Sequence, residues 1–190
     1  MTIPVWKLTR TSVGRHLFDS LADIGVVFSR LAQFDHALES PLPARSVPEE
    51  VSLRVGSPEE FSLSGRLNRP ALADHDLVVA AVADERVVGV QPITLDRTFY
   101  VEPLERPIDF PGAYFWGLSV APEWRRQGVA TALVARALAV VAEQTAQSSV
   151  QTLVGIDNAP SKQVLRGVGF ERTGVRSYYR LFGWQHRGRV

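Results

Sequence analysis

The chain has 190 residues and no cysteine, which excludes disulfides, thiolate metal sites and a cysteine nucleophile. Hydrophobic residues make up 45% and charged residues 22%, the balance of a folded globular chain rather than a disordered one. The 21 basic and 20 acidic residues leave a formal charge of +1, which gives no overall drive toward nucleic acid or an anionic membrane.

The length predicts one domain over residues 1–190. The opening Met-Thr-Ile-Pro-Val-Trp-Lys-Leu lacks the apolar run of a secretory leader, and the most apolar stretch, 129–142, is short and interrupted by Arg136. A cytoplasmic protein without membrane spans is expected. Leu17, Leu21, Ile24, Phe28, Leu31 and Leu38 step by threes and fours, with Asp35 filling the one gap, which predicts a helix with Gly25 as a point of division. Residues 39–60, with Pro41, Pro43, Pro48 and Pro58, read as loop. The two β-branched runs within 77–93, split by Asp84-Glu85-Arg86, predict a hairpin. Residues 96–112 hold three prolines, which exclude a central strand or a helix. An apolar strand over 113–120 ends at Pro122. A helix is expected over 128–144, a strand over 150–156, a short helix over 161–166 closed by Gly167 and Gly169, and one or two strands from Phe170 through Phe182. The sum is a mixed α/β domain.

One stretch carries chemistry. Between Leu118 and Ala130 an apolar strand stops at a proline, Arg125 and Arg126 follow, and Gly128-Val129-Ala130 opens a helix. The first turn of a helix has unpaired N–H groups and the positive end of the helix dipole. Small residues there let a phosphate approach the backbone, and two arginines add charge, so the pattern predicts a diphosphate site. No Gly-x-x-x-x-Gly-Lys occurs, which excludes a P-loop, and Leu133 stands where a dinucleotide fingerprint would want a third small residue.

The segment Arg125-Arg126-Gln127-Gly128-Val129-Ala130 resembles the Arg/Gln-x-x-Gly-x-Gly/Ala signature of the GNAT superfamily of acyl-CoA-dependent N-acyltransferases. The hairpin at 77–93 looks like that family's second and third strands. Asn158-Ala159-Pro160-Ser161 through Val168-Gly169-Phe170 looks like its Asn-x-x-Ser/Ala…Gly-Phe segment. The resemblance covers about 75–183, as a cofactor-binding core, with 1–74 as a variable N-terminal part. It implies a central mixed sheet of about six to seven strands with flanking helices, its fourth and fifth strands splayed. It also implies acetyl-CoA as acyl donor and transfer to a primary amine, with a non-catalytic acyl-CoA-binding module as the alternative. Leu118, Ser119 and Val120 would lie along the pantetheine arm. Arg125, Arg126, Gln127, Gly128, Val129, Ala130 and Thr131 would cradle the pyrophosphate, and Asn158 and Ser161 would bind near the pantetheine.

The match has two gaps. Where many members carry a tyrosine that protonates the leaving thiolate, this chain has Leu165, so Ser161 is the first substitute and Tyr178 and Tyr179 are alternatives. No carboxylate lies in 113–120 to act as base; Tyr114 stands near that place, with Asp109 upstream or a held water as other options. His16, His36, His75 and His186 show no metal-ligand spacing, so no metal site is expected. Residues 161–190 carry seven basic residues against Glu171, read as a solvated face that helps with CoA phosphates rather than a nucleic-acid surface. The partner is expected to be a small-molecule or peptide amine; a homodimer is a further option. Asp96, Glu102, Glu105 and Asp109 predict an acidic rim that favours cationic amines.

Overall fold

The computed structural model describes residues 26–38, 45–63, 72–74, 76–95 and 98–190. In chain order these form β1 (Val26–Ala37), β2 (Ser52–Gly56), the hairpin of β3 (Leu77–Ala83) and β4 (Arg86–Thr94), and a small hairpin of β5 (Phe99–Val101) and β6 (Arg106–Ile108). Then come β7 (Ala113–Phe115), β8 (Ser119–Val120), helix α1 (Val129–Gln144), β9 (Ser149–Gly155), helix α2 (Ala159–Gly167), β10 (Glu171–Leu181) and β11 (Trp184–Arg189). The main sheet runs β11-β10-β1-β9-β7-β4-β3-β2, with β8 continuing against β4. Among the described residues β7 and β9 pair in parallel and the other pairs are antiparallel. The mixed α/β expectation holds. No described helix is long and apolar enough to cross a membrane.

Three expectations are corrected. Residues 26–37 form a strand, not part of a helix; Leu17, Leu21, Ile24 and Gly25 lie outside the described residues. β1 sits between β9 and β10 in the sheet, and apolar clusters cover both of its faces: Val27 and Leu31 pack on one side, Ala32 and Phe34 on the other. Two apolar faces erase the period-two signature of a strand, and a bulge between Gln33 and Phe34 shifts what remains. Residues 52–56, read as loop, add β2 at the sheet edge, paired with β3. The strand expected over 113–120 is cut into β7 and β8 by Gly117, whose φ of 61° no sheet strand shares. Among the described residues the main sheet holds nine strands, counting β7 and β8 separately.

That cut has a visible cause. β4 pairs with β7 at Ile93 and Thr94 and with β8 at Gly89 and Val90, and skips Gln91 and Pro92. Pro92 has no N–H to give a ladder. The buried Gln91 amide instead donates to the Trp116 carbonyl at 3.2 Å. α1 lies on one face, with Leu133, Val134, Ala137, Leu138 and Val141 fully buried against β3, β4 and β8. Leu165, Val168 and Phe170 join the same core. Burying such side chains contributes on the order of 1.5–3 kcal/mol each. A second cluster, with Val27, Phe99, Leu104, Tyr114 and Tyr178, covers the opposite face.

His36 is buried on the helix side, its ring 5.3 Å from that of Phe170. Burial lowers its pKa below 6.5. The folded state therefore binds its proton less readily than the unfolded chain does. Stability from this group is complete above pH 6.5 and falls as the pH drops through the folded-state pKa, by up to about 1.4 kcal/mol per pH unit. Urea unfolding of wild type and His36→Phe between pH 7.5 and 5 should show this slope in wild type only.

Candidate active site

α1 begins where Gly128, at φ 83°, turns the chain into the helix. The first helical hydrogen bond runs from the Ala132 N–H to the Gly128 carbonyl at 3.0 Å, and no side chain caps this end. The amides of the first turn are thus left for a ligand. A Cβ on Gly128 would meet nothing nearer than the Ser46 carbonyl at 3.8 Å, so the approach to these amides is open. Arg126, at φ 63°, gives the preceding loop a second left-handed residue, and alternation of this kind aims successive N–H groups into one concavity. Arg125 is pinned: its Nε donates to the Val120 carbonyl at 2.9 Å, which ties the loop to the end of β8.

This turn closes one end of a cleft of about 1010 Å³. Leu118 and Val120 form one wall, Arg125, Arg126, Gly128, Ala130 and Thr131 the end, and Pro160, Ser161, Gln163 and Val164 of α2 the other wall. The volume is at the upper end for a ligand pocket, on the order of 300–1,000 Å³. The cleft exists because β7 and β9 stay paired only as far as Phe115 and Thr152, while β8 pairs with β4 alone. The strands expected to splay do so from Trp116 onward.

Eight of the residues expected at the cofactor line this cleft: Leu118, Val120, Arg125, Arg126, Gly128, Ala130, Thr131 and Ser161. Four others have different surroundings. Ser119 pairs with Val90 in the sheet, and Val129 is packed in the core. Gln127 donates from its side chain to the Glu123 carbonyl at 2.8 Å, bracing the turn. Asn158 caps α2, its Oδ1 accepting from the Ser161 N–H at 3.3 Å. Sequence reasoning missed Arg45, which lines the cleft and donates from Nη2 to the Gly167 carbonyl at 2.9 Å. It comes from a Pro-rich stretch with no motif to flag it.

The catalytic candidates divide. Ser161 is half-buried in the cleft wall, and Leu165, one turn on, is buried in the core. Tyr114 lies on the far face, its ring stacked 3.9 Å from that of Phe110. Burial pushes its hydroxyl well above the usual tyrosine range, which disfavours the ionised form that would take a proton. Tyr178 is fully buried and donates to Glu105 Oε2 at 2.7 Å, and Tyr179 stacks against His186. Trp116, at the mouth of the splay, is held by a relay: its indole N–H donates to Thr94 Oγ1 at 2.9 Å, and that hydroxyl donates to the buried Asp76 Oδ1 at 2.9 Å. Among the described residues no group of His, Asp or Glu is placed to hold a metal.

The sequence model of the Acetyltransferase (GNAT) family matches residues 44–170, which contain the cleft and both of its helices. The chain belongs to the GNAT acetyltransferase family. Solved structures agree in fold at low identity. A GCN5-related N-acetyltransferase from Kribbella flavida superposes with a TM-score of 0.57 at 16% identity, over 96% of this chain and 77% of that one. A tandem GNAT protein of the clavulanic acid biosynthesis pathway gives 0.59 at 17%, over 93% of this chain and 59% of that one. A Drosophila protein gives 0.61 at 12% identity, over 88% of this chain; the chain spans 56% of its length. Comparison with curated proteins gives no match.

Proposed function

We propose that this GNAT protein transfers an acetyl group from acetyl-CoA to a primary amine in one direct step. The observation that carries the reading is the cleft between β8 and α2, closed at one end by a bare helix turn with two arginines. The donor set fits a diphosphate: unpaired amides, an open approach at Gly128, and the guanidinium groups of Arg125 and Arg126. β8, unpaired on its cleft side, leaves backbone groups for the amides of a pantetheine arm. The thioester would then lie where the strands part. The amine nitrogen forms its bond to the carbonyl carbon and gives up a proton to solvent, the C–S bond breaks, and the thiolate takes a proton back from solvent. The absence of cysteine from the chain favours direct attack over an acyl-enzyme. Release of CoA thiol from acetyl-CoA with a panel of amines tests the reading; no release above solvent hydrolysis with any amine would refute it.

Ser161 lines the cleft one helical turn before Leu165, the place of the absent tyrosine, and we assign it a hydrogen bond to the departing sulfur. Ser161→Ala is expected to lower kcat about three- to tenfold, the worth of one such bond. Leu165→Ala should leave kcat per folded molecule unchanged and cost about 2–5 kcal/mol of stability, because Leu165 is 4% exposed in the core. The buried Leu165 also supports the second reading, a module that holds acyl-CoA with little turnover. Tight CoA binding without thiol release distinguishes it.

A further inference from the structure

The face of the sheet opposite α1 carries a second, smaller cavity of about 150 Å³. Arg106, Arg176, Arg187 and Arg189 line it, with Leu104 and Tyr178 beside them and no carboxylate among the lining residues. The register explains the convergence. Arg187 lies opposite Tyr178 and Arg189 opposite Arg176 in the β10–β11 pair, so all four project from one face. Arg106 is brought over by the β5–β6 hairpin, whose helical turn at Glu102–Leu104 packs on β10.

Two of these arginines are pre-positioned. Arg176 Nε donates to Gln33 Oε1 at 2.9 Å. Arg187 lies over the Tyr178 ring at 4.6 Å and donates from Nη1 to Gln185 Oε1 at 3.0 Å. Glu105, next to the lining residues Leu104 and Arg106, is already engaged: it accepts from Tyr178 and pairs with Arg180 at 3.2 Å. Of the four acids expected to form a rim, Asp96 lies outside the described residues, Glu102 and Asp109 are exposed, with Asp109 accepting from Thr98, and Glu105 pairs with Arg180. Like charges crowd the cavity instead: burial lowers the Arg176 pKa, and Arg189 and Arg106 lower it further, with Asp35 in opposition. Arg106, Arg187 and Arg189 are exposed and Arg176 is half-buried, so their forked donors are open to an arriving ligand and match carboxylate and phosphate oxygens.

The cavity is tied to the cleft through the sheet. Gly155, Leu31, Arg176 and Arg189 form one row across β9, β1, β10 and β11. Strands lie about 4.8 Å apart, so Arg176 stands roughly 10 Å from the strand that borders the splay. The Arg176 charge also acts on Tyr114, one strand beyond β9. We infer that the arginine cavity binds the anionic end, a carboxylate or phosphate, of the amine that accepts the acetyl group. This rests on the transfer reading above and replaces the cationic acceptor expected from sequence.

The test has two arms on the full chain. In the first, inorganic phosphate is titrated at low salt while the arginine Nε–H signals are followed by NMR. Saturable shifts are expected, with binding weakened at least tenfold in Arg106→Gln and in Arg189→Gln but not in Arg136→Gln, which lies on α1. No saturable shift, or equal affinity in all three variants, overturns the inference. In the second arm, thiol release is compared for matched amines: an amino acid against its amide, and phosphoethanolamine against ethanolamine. The anionic member should have at least tenfold higher kcat/KM, and Arg189→Gln should abolish that advantage with the KM for acetyl-CoA unchanged. Phosphate binding with no preference for anionic amines makes the cavity a free-anion site and overturns the acceptor assignment. Phosphate binding with no release from any amine refutes the transfer reading, and the acceptor assignment with it.

Discussion

Gly128→Val is expected to raise the Kd of acetyl-CoA at least a hundredfold, measured by calorimetry, while the fold survives. Two effects add. A β-branched residue at φ 83° is strained by about 1–2 kcal/mol, because its Cβ crowds the following carbonyl. The turn relieves this by moving away from left-handed geometry, and the first amides of α1 then no longer converge. Each charge-assisted bond to a phosphate oxygen lost in this way costs about 1.5–3 kcal/mol. Gly128 is exposed and its Cβ would meet no backbone within 3.8 Å, so folding is spared. Undiminished affinity in a folded Gly128→Val would remove the diphosphate assignment.

Gly112→Ala should do the opposite, striking the fold first. A Cβ there would lie 2.2 Å from the Ser149 carbonyl oxygen and 2.6 Å from its hydroxyl. The first of these is backbone and has no rotamer by which to move aside. Gly112 stands just before Ala113↔Val150, the first rung of the parallel ladder between β7 and β9. Forced apart at this point, the two strands lose a rung or shift register. The expected cost is about 3 kcal/mol, a drop of roughly 6–12 °C in Tm for a chain of this size. A thermal scan within 1 °C of wild type would show that the ladder absorbs the methyl.

The parts legible in the sequence were those whose signal is local. The β3–β4 hairpin announced itself by two β-branched runs around a polar break, and the turn closes with Asp84 and Glu85 both at positive φ. α1 has an uninterrupted apolar face, and the glycine at its start marks the diphosphate turn. β1 was misread because Phe28, Leu31 and Leu38 meet a helical spacing by coincidence, while Val26-Val27 was the better clue. β2 was hidden by prolines on either side. The arginine cavity was seen only as a surplus of charge in 161–190. The alternation of Arg187 with Arg189 was in plain view, yet the partner that makes a site of it, Arg106, arrives from another hairpin, and no local pattern encodes that meeting.

The sheet is joined across its middle by three residue pairs, Ala113↔Val150 to Phe115↔Thr152. On one side stand β2, β3, β4, β7 and β8; on the other, β9, β1, β10 and β11. Beyond these rungs the described residues of the two halves meet through side chains, where α1 touches α2 and the ring of Phe115 lies 6.2 Å from that of Phe170. Backbone bonds fail with small changes of angle, whereas apolar contacts tolerate sliding. Among the described residues three backbone rungs and side-chain packing thus carry the connection between the two parts of the sheet. A ligand gripping both walls of the cleft acts as a splint, and the amides of the three rungs should be where hydrogen exchange slows most when it binds.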